Sequence, residues 1–311
     1  MHGKILLSIV TPMRFISDIF AEAREAGRVV VSCEFFPTKT PEGERSLLEK
    51  TIPRLKASRP AFCSVTYGAG GSTSDKTLDI VETIQREHEL PAMAHLTCVG
   101  STCADIGGFL DEARARDIRN ILALRGDPPE GQMEFVKPEG GFGYSYQLVE
   151  AIKNHGAFSV GTAGFPEGHV ACTGGREKDW QRLKEKVDCG ADFVITQLFF
   201  DNADFFRFRE HLSGLGMHRP ISAGIIPVLS GAQIRRFTKL CGASLTPRLA
   251  ARLDVLGDDD EAVREFGIDY ATEQCRDLLA AGVEGLHFYT LNRSYSTIRI
   301  LENLGLAEPA S

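Results

Sequence analysis

The chain has 311 residues, of which 43% are hydrophobic and 25% are charged, as is typical of a soluble globular protein. Its formal net charge is −7, from 35 basic and 42 acidic residues, and it has no run rich in Lys or Arg. These features disfavour a general nucleic-acid-binding protein. No apolar stretch approaches the roughly 18 residues that a membrane span needs. The length allows about two domains, or one α/β barrel of about 250 residues.

The 8 cysteines occur singly, mostly within apolar runs. No Cys-x-x-Cys pair and no Cys/His ladder with zinc spacing is present, so we expect neither a metal site nor a disulfide framework. The early apolar run at 5–10 is too short for a secretory signal and leads to no cleavage pattern. These observations predict a cytoplasmic protein with free thiols.

Short β-branched runs alternate with helix-period stretches from residue 29 onward. The first run, at 29–35, is continuously apolar, as in a strand that is buried on both faces. A helix capped by Thr40, with Pro41 at its first position, is predicted to follow it. Further strands are predicted at 61–67, 92–97, 119–124, 158–163, 192–198, 220–226 and 284–290. Eight βα units favour a closed (β/α)8 TIM barrel over an open sheet, and no G-x-G-x-x-G motif follows the first strand.

Two segments lie outside the eight units. Residues 1–28 precede the barrel, and one helical face of this segment carries Phe15, Ile16, Ile19, Phe20 and Ala23. That pattern predicts a helical arm that covers the barrel bottom or a neighbouring subunit. Residues 246–280 are longer than one crossover helix, so we expect an extra helix before the last strand. We predict one catalytic barrel at 29–306 and a tail at 307–311.

In a (β/α)8 barrel the active site lies where the strands end and the βα loops begin. The first predicted strand ends with Glu34, which is flanked by apolar residues. Loss of solvation there would raise the pKa of this carboxyl and suit it to general-acid chemistry. The alternative is a strand-end Glu that reaches solvent or pairs with an Arg.

The other strand ends carry a glycine-rich loop at 66–72, then His95, the pair Arg125 and Asp127, and Gln197. Each also has a structural interpretation, such as a plain turn, a core histidine, an ion pair or an amide bonded to the next strand. No Lys lies within or at the end of a predicted strand, which disfavours a Schiff-base aldolase. No His-x-His ends the first strand, which disfavours a metal-dependent hydrolase. A mouth rich in amides, aromatic residues and glycines favours an enzyme with a planar ring cofactor.

Nine motifs lie at these strand ends. They are SCEFFP at 32–37, SVTYGAGGS at 64–72, HLTC at 95–98, ALRGD at 123–127, PEGH at 166–169, KVDCGAD at 186–192, ITQLFFD at 195–201, GIIPV at 224–228 and HFYTLNR at 287–293. Together and in this order they resemble the 5,10-methylenetetrahydrofolate reductase family, from about residue 30 to residue 306. The bacterial form of that family is a single (β/α)8 barrel.

The resemblance implies a ping-pong reaction on bound FAD. NADH or NADPH would reduce the flavin and leave, and 5,10-methylenetetrahydrofolate would then accept a hydride from flavin N5 to give 5-methyltetrahydrofolate. Glu34 matches the family's general acid, which delivers a proton towards folate N10. Asp127 matches a catalytic position between flavin and pterin, where its charge tunes the flavin and stabilises the cationic folate intermediate.

The resemblance also assigns binding residues. The positions that line FAD are matched by Tyr67, Ala69, His95, Arg125, Gly126, Asp127, Tyr144, Ser145, Phe165, His169, Asp179 and Lys186. The nicotinamide nucleotide would contact Thr66 and Phe237. The folate-contacting positions are matched by Gln197, Gln233, Phe237, Leu291 and Arg293. Phe237 and Leu291 match the residues that sandwich whichever planar substrate is bound.

Two departures from the family pattern bear on the flavin. Phe165 stands where many members have Tyr, and the segment at 170–175 is unlike the acidic segment that is usual there. The resemblance further implies a homo-oligomer, and the short chain implies no C-terminal regulatory domain and no control by adenosylmethionine. Two alternatives stay open. One is the same enzyme working as a 5-methyltetrahydrofolate oxidase. The other is a non-catalytic flavin- or folate-binding protein, which the intact catalytic residues disfavour.

Overall fold

The computed structural model describes residues 13–67, 74–128 and 135–307. Parallel strands form a closed barrel in the order of the chain, and the last strand pairs with the first. The strands are β1 (Val30–Phe35), β2 (Phe62–Val65), β3 (Ala92–Thr97), β4 (Asn120–Leu124), β5 (Ser159–Gly164), β6 (Phe193–Thr196), β7 (Ile221–Ile225) and β8 (Gly285–Tyr289). The predicted (β/α)8 TIM barrel is therefore confirmed.

Helices surround the barrel and follow the strands. They are α1 (Ile16–Glu25), α2 (Pro41–Ser46), α3 (Ile52–Lys56), α4 (Ser74–His88), α5 (Cys103–Ala115), α6 (Ser145–His155), α7 (Gly175–Asp188), α8 (Asn202–Gly214), α9 (Gly231–Cys241), α10 (Pro247–Leu256), α11 (Asp260–Ala280) and α12 (Tyr295–Asn303). A π-helical turn at Leu47–Thr51 joins α2 to α3. Thr40 caps α2 as predicted, because its side chain accepts a hydrogen bond from the backbone N–H of Gly43.

The extra helical segment before the last strand is also confirmed. After α9, which follows β7, the chain forms both α10 and α11 before it enters β8. Thr246 caps α10 through the backbone N–H of Leu249, and Pro247 begins the helix, where its missing N–H costs nothing. In the described parts of the chain, no helix combines the length and the apolar character that crossing a bilayer requires.

Helix α1 closes the N-terminal end of the barrel. Its buried residues Ile16, Ile19, Phe20 and Ala23 pack against the lower interior of the barrel. The ring of Phe20 lies 6.2 Å from that of Phe62 and 5.5 Å from that of Phe193. The side-chain oxygen of Asn120 accepts a hydrogen bond from the first helical N–H, that of Ile16. The expected cover of the barrel bottom is therefore confirmed for the described part of the arm, 13–28.

Phe15 departs from the predicted apolar face. It precedes the helix in an extended conformation and is only half buried. The guanidinium of Arg119 lies 5.6 Å from its ring centroid, a cation–π contact at the rim of the barrel. The helical periodicity therefore holds from Ile16 onward and not at the residue before it.

Because side chains alternate along each strand, one set faces the surrounding helices and the other set faces the barrel interior. Cys33 and Phe35 of β1 face the surrounding helices, in the same cluster as Cys63 and Val65 of β2. Glu34 lies between them in sequence and points to the opposite face, the barrel interior. The register pairs Glu34 with Ser64 on one side and Tyr289 on the other.

Candidate active site at the C-terminal mouth of the barrel

Glu34 is the centre of the site. Its side chain is 17% exposed, and its Oε2 lies 3.4 Å from Nε2 of His95 and 3.5 Å from Nε2 of His287. The two imidazoles come from β3 and β8, whereas the carboxyl comes from β1. Neither of the structural alternatives for this residue holds: the carboxyl is mostly shielded from solvent, and its ionisable neighbours are histidines and not an arginine.

The pKa of Glu34 is not raised as its apolar sequence neighbours predicted. Burial does raise the pKa of this carboxyl, but the hydrogen bond with His287 and the charges of His95 and His287 outweigh burial. The pKa therefore lies below its ordinary value, and the expected raised pKa is wrong. Burial also lowers the pKa of His95 to about 4, although the negative charge of Glu34 opposes the shift. His95 is therefore a neutral imidazole at pH 7.

His287 is a part of the site that the sequence did not reveal. It is fully buried, with Nδ1 2.8 Å from the hydroxyl of Ser32 and Nε2 directed at Glu34. Its ring stacks on Phe62 at 6.4 Å, so it marks the level at which the apolar lower interior gives way to the mouth. The sequence pattern that could have revealed His287 is the alternation of side chains along β8, because His287 lies two residues before Tyr289 and therefore on the same face of the strand.

Tyr289 completes the interior wall beside Glu34. Its hydroxyl donates a 2.6 Å hydrogen bond to the carbonyl of Thr196 on β6, and burial raises its pKa well above the ordinary value. Gly224 on β7 makes room for this arrangement. A Cβ there would lie 2.2 Å from the carbonyl oxygen of Thr196 and 2.8 Å from the Tyr289 ring. The mouth is therefore closely packed on the β6–β8 side.

A second polar group lies around β4, β5 and α7. The ammonium of Lys186 donates a 2.8 Å hydrogen bond to the carbonyl of Ala163, and burial lowers its pKa to about 8 although Asp179 opposes the shift. Burial raises the pKa of Asp179, whose carboxylate accepts a hydrogen bond from the backbone N–H of His169. Burial lowers the pKa of His169, and the nearby charge of Arg125 adds to that effect. The structure thus brings together four of the residues assigned to the flavin.

This wall suits a large planar ligand that carries negative charge. The buried Nε2 of His95 and the buried hydroxyl of Thr97 make no hydrogen bond within the described residues. Beside them Gly126 has φ +86°, and a Cβ there would lie 2.8 Å from a methyl carbon of Val99. Unpaired polar groups and close backbone approach, next to Lys186 and Arg125, are features that fit the ring and the phosphates of a flavin dinucleotide.

Other residues assigned to the flavin lie at the edge of this wall. The ring of Phe165 meets that of His169 edge to face at 4.6 Å, and its carbonyl accepts a hydrogen bond from the indole of Trp180. Tyr144 is the residue immediately before α6, which begins at Ser145. It is 57% exposed, and its ring stacks on that of Tyr146. Asp127 is exposed at the rim, whereas Ala69 lies outside the described residues.

Residues 66 and 67 lie just after β2. The carbonyl of Thr66 accepts a hydrogen bond from the hydroxyl of Thr77 on α4. The Tyr67 ring contacts Phe109 of α5 edge to face at 6.0 Å, so it is held on the helix side of the loop.

The residues assigned to folate lie on the other side of the mouth, around β6, α9 and the end of β8. Phe237 and Leu291 belong to one apolar cluster, together with Tyr289. Gln197 and Gln233 are half buried, and the side-chain oxygen of Gln197 accepts a hydrogen bond from the backbone N–H of Leu198. Arg293 is exposed at the rim. No group of His, Cys, Asp and Glu among residues 13–67, 74–128 and 135–307 is arranged to hold a metal ion.

Fold and site together define a (β/α)8 barrel protein whose mouth has a largely enclosed acid between a wall that bears Arg125 and Lys186 and an apolar, amide-bearing wall. The sequence profile of the methylenetetrahydrofolate reductase family matches residues 19–305. The chain belongs to this family of oxidoreductases.

Individual relatives agree with this assignment. The chain is 41% identical over 306 residues to methylenetetrahydrofolate reductase (NADH) 1 of Zea mays, covering 95% of this chain and 51% of that protein. It is 36% identical over 284 residues to 5,10-methylenetetrahydrofolate reductase of Escherichia coli, covering 91% of this chain and 93% of that protein. The chain thus spans about half the length of the plant relatives it matches and most of the bacterial one.

Among solved structures, the fold is similar to that of a Clostridium thermocellum protein described as binding two copies of 5-methyl-5,6,7,8-tetrahydrofolic acid. The TM-score is 0.60, and the match covers 93% of this chain and 98% of that protein. Sequence identity is 14%, so the likeness concerns the fold alone.

Proposed function

We propose that this chain catalyses the FAD-dependent reduction of 5,10-methylenetetrahydrofolate to 5-methyltetrahydrofolate, with a nicotinamide nucleotide as electron donor. Membership of the family and the match to nearly the whole bacterial enzyme support the reaction. The plant relatives are named for NADH, which favours NADH as the donor. The fold shared with a protein described as binding 5-methyltetrahydrofolic acid is compatible with a folate ligand.

The observation that carries this proposal is the largely enclosed carboxyl of Glu34 at the mouth, close to two imidazoles. A protein that only bound folate or flavin would have no need of a charged group in so enclosed a place, because burying a carboxylate is costly unless it is paired. A proton donor for the folate ring, in contrast, has to be enclosed with its substrate. The arrangement therefore favours an enzyme over a binding protein.

Glu34 has to be protonated when it acts. Its lowered pKa means that the carboxyl is ionised at neutral pH before a substrate binds. Burial is the largest influence on this pKa and raises it, so a planar substrate that excludes water from the mouth would raise it further. We propose that the carboxyl takes up its proton as the substrate covers it. The O–H bond then breaks as a bond to folate N10 forms, which opens the five-membered ring.

The residues around β4, β5 and α7 would hold FAD, which supplies transfer of electrons from the nicotinamide nucleotide to the folate. Lys186 and Arg125 would attract the phosphates. Gly126 would let the backbone approach the ring system closely, because no side chain stands there. Asp127, exposed just after β4, would stabilise positive charge on the opened folate.

The opposite wall would hold the two substrates in turn. Phe237 and Leu291 offer apolar faces on which a nicotinamide or a pterin can stack. Gln197 and Gln233 have both donors and acceptors for a pterin edge, and the exposed Arg293 can pair with a carboxylate of the folate tail. One shared pocket would explain why one substrate leaves before the next binds.

The proposed function is tested by an anaerobic flavin titration of the purified protein. NADH, or NADPH in a parallel sample, is added first and should bleach the oxidised flavin absorbance. Addition of 5,10-methylenetetrahydrofolate should then restore it, with 5-methyltetrahydrofolate formed in equal amount. A protein that bleaches with either nucleotide but never recovers with the folate would contradict the proposal. A protein that neither contains nor binds FAD would contradict it as well.

A further inference from the structure

The corner that follows β8 has an unusual backbone. Leu291 and Asn292 have φ of +52° and +55°, so two consecutive residues other than glycine are left-handed. Asn tolerates this conformation better than most residues, whereas a branched apolar side chain such as that of Leu does so rarely. Such a pair persists only where the surrounding contacts hold it.

The first of these contacts joins the corner to the segment after β1. The Asn292 side-chain amide pairs with both backbone groups of Phe36. The N–H of Phe36 donates to Oδ1 at 3.1 Å, and Nδ2 donates to the Phe36 carbonyl at 2.8 Å. This double hydrogen bond fixes both the distance and the orientation of the two segments.

The second contact lies two residues earlier in each segment. The hydroxyl of Thr290, which is 2% exposed, donates a 2.7 Å hydrogen bond to the backbone carbonyl of Glu34. The same hydroxyl accepts the backbone N–H of Asn292 at 3.2 Å, and the carbonyl of Asn292 accepts the hydroxyl of Thr51. The corner is therefore joined to β1 at the residue that bears the acid.

These contacts extend the sheet beyond its end. The regular register between β1 and β8 ends at the pair of Glu34 and Tyr289. Without the Thr290 and Asn292 bonds, the two strands would be free to separate at the level of the mouth. On one side this would move Glu34, and on the other it would move Leu291 and Arg293.

We propose that Asn292 is a positioning residue, whose amide holds the β1 segment that bears Glu34 in register with the β8 corner that bears Leu291 and Arg293. The inference rests on the proposed function, in which the acid and the substrate-stacking residue act on the same folate. It assigns Asn292 a role in the folate step, in which Glu34 acts, and a lesser one in reduction of the flavin.

Asn292→Gly is the informative variant, because glycine adopts the left-handed conformation without strain while the amide is lost. We expect the rate of flavin reoxidation by 5,10-methylenetetrahydrofolate to fall about 10- to 100-fold, since a misplacement of about 1 Å can cost that much. Reduction of the flavin by NADH should fall less than the folate step, because it uses the Leu291 stacking face but not the acid of Glu34. Glu89→Gly is the matched control, because Glu89 is another left-handed residue, with φ +49°, and is exposed at the end of α4.

A double substitution separates positioning of the acid from a general loosening of the corner. In a Glu34→Gln background there is no acid to position, so adding Asn292→Gly should cost less in the folate step than it costs in the wild-type background, and what loss is left should come from displacement of Leu291 and Arg293. An equal loss in both backgrounds, an equal loss in both half-reactions, or no loss at all would overturn the inference. Asn292→Asp, which keeps the acceptor for Phe36, is the substitute if the glycine variant does not fold, and it should show a smaller loss of the same pattern.

The wild-type trace distinguishes the two levels of failure. If the wild-type flavin is never reoxidised by the folate, the proposed function fails and the positioning role fails with it. If the wild-type protein completes both half-reactions and Asn292→Gly does so at the same rates, only the positioning role fails.

Discussion

The two ends of the barrel are built by the same strands but have opposite chemistry. At the N-terminal end, Phe20 of α1 enters the barrel and packs against Phe62 and Phe193, whose own ring centroids are 6.3 Å apart. At the C-terminal end, Glu34 and His95 occupy the interior. One end is filled with apolar side chains and the other holds ionisable groups.

The change takes place within two residues along a strand. On β3 the interior position passes from Met93, in the lower apolar cluster, to His95 in the mouth. On β2 it passes from Phe62 to Ser64. Apolar burial at the lower end stabilises the fold, whereas each unpaired polar group at the upper end costs stability. The barrel interior therefore has a lower apolar layer, which stabilises the fold, and an upper polar layer at the mouth, which carries the candidate catalytic groups. Substitutions in the lower layer should change the stability, whereas substitutions in the upper layer should change the reaction rates.

Glu34→Gln should give the largest effect in the upper layer. The amide is nearly isosteric but cannot deliver a proton. We expect the folate half-reaction to slow by about 10²–10⁴-fold, the usual contribution of a general acid. Reduction of the flavin by NADH should be largely spared. Rapid-mixing absorbance of each half-reaction measures this, with the exposed Glu49→Gln as control. Equal loss of both half-reactions would mean that Glu34 supports the site as a whole.

Phe20→Ala should give the largest effect in the lower layer. Removing the ring leaves a cavity between Phe62 and Phe193, and such truncations cost about 3–5 kcal/mol of unfolding free energy. Urea unfolding curves measure the loss, with Leu240→Ala as a control because Leu240 is 66% exposed. The folded fraction should keep its wild-type rates in both half-reactions. A slower folate step in fully folded Phe20→Ala protein would break the separation of the two layers.

The layered fold was predictable from the sequence because its signals are local. A continuous apolar run such as 29–35 indicates a buried strand, and the observed β1 (Val30–Phe35) differs from it by one residue. The helical period of Ile16, Ile19 and Phe20 was enough to predict the helix that closes the barrel. Chain order and strand count then left the (β/α)8 barrel as the favoured arrangement.

The electrostatics of the site were not predictable, because they depend on residues that are distant in the chain. The apolar sequence neighbours of Glu34 predicted a raised pKa for its carboxyl. Its spatial neighbour His287, 253 residues away in the sequence, lowers that pKa instead. The hydrogen bonds between Asn292 and Phe36 span 256 residues and left no local signal either. The alternation of side chains along each strand predicts that Glu34 and His287 face the barrel interior, but it does not predict that they are neighbours across strands.

Lys186 provides a pH test of the flavin wall. Burial lowers the pKa of its ammonium to about 8, so in the ligand-free protein the charge is lost as the pH rises through 8. A bound phosphate favours the charged form, and binding should therefore be strongest below pH 8 and weaken above it. We expect the Kd for FAD to rise about tenfold between pH 7 and pH 9.

Flavin fluorescence titration at several pH values measures this dependence. Lys186→Met should bind FAD more weakly at pH 7 and with a flatter pH profile. Lys178→Met, on the exposed face of α7, should keep the wild-type profile. A wild-type affinity that does not change between pH 7 and pH 9 would show that Lys186 does not meet the phosphates.

Phe165→Tyr should give the smallest effect, a modest change in FAD affinity, and it tests whether Phe165 belongs to the polar upper layer. The Phe165 ring meets His169 edge to face at 4.6 Å, at the edge of the wall proposed to hold FAD. A phenol hydroxyl there would gain one hydrogen bond to the cofactor, worth about 0.5–1.5 kcal/mol, or roughly a 2- to 10-fold lower Kd for FAD. Its unfolding free energy without FAD should stay near the wild-type value, because Phe165 is only half buried and lies outside the apolar lower layer. Fluorescence titration and urea unfolding measure the two quantities separately. Weaker flavin binding would mean that the hydroxyl meets no acceptor, and that the ring of Phe165 packs against the cofactor through its apolar edge alone.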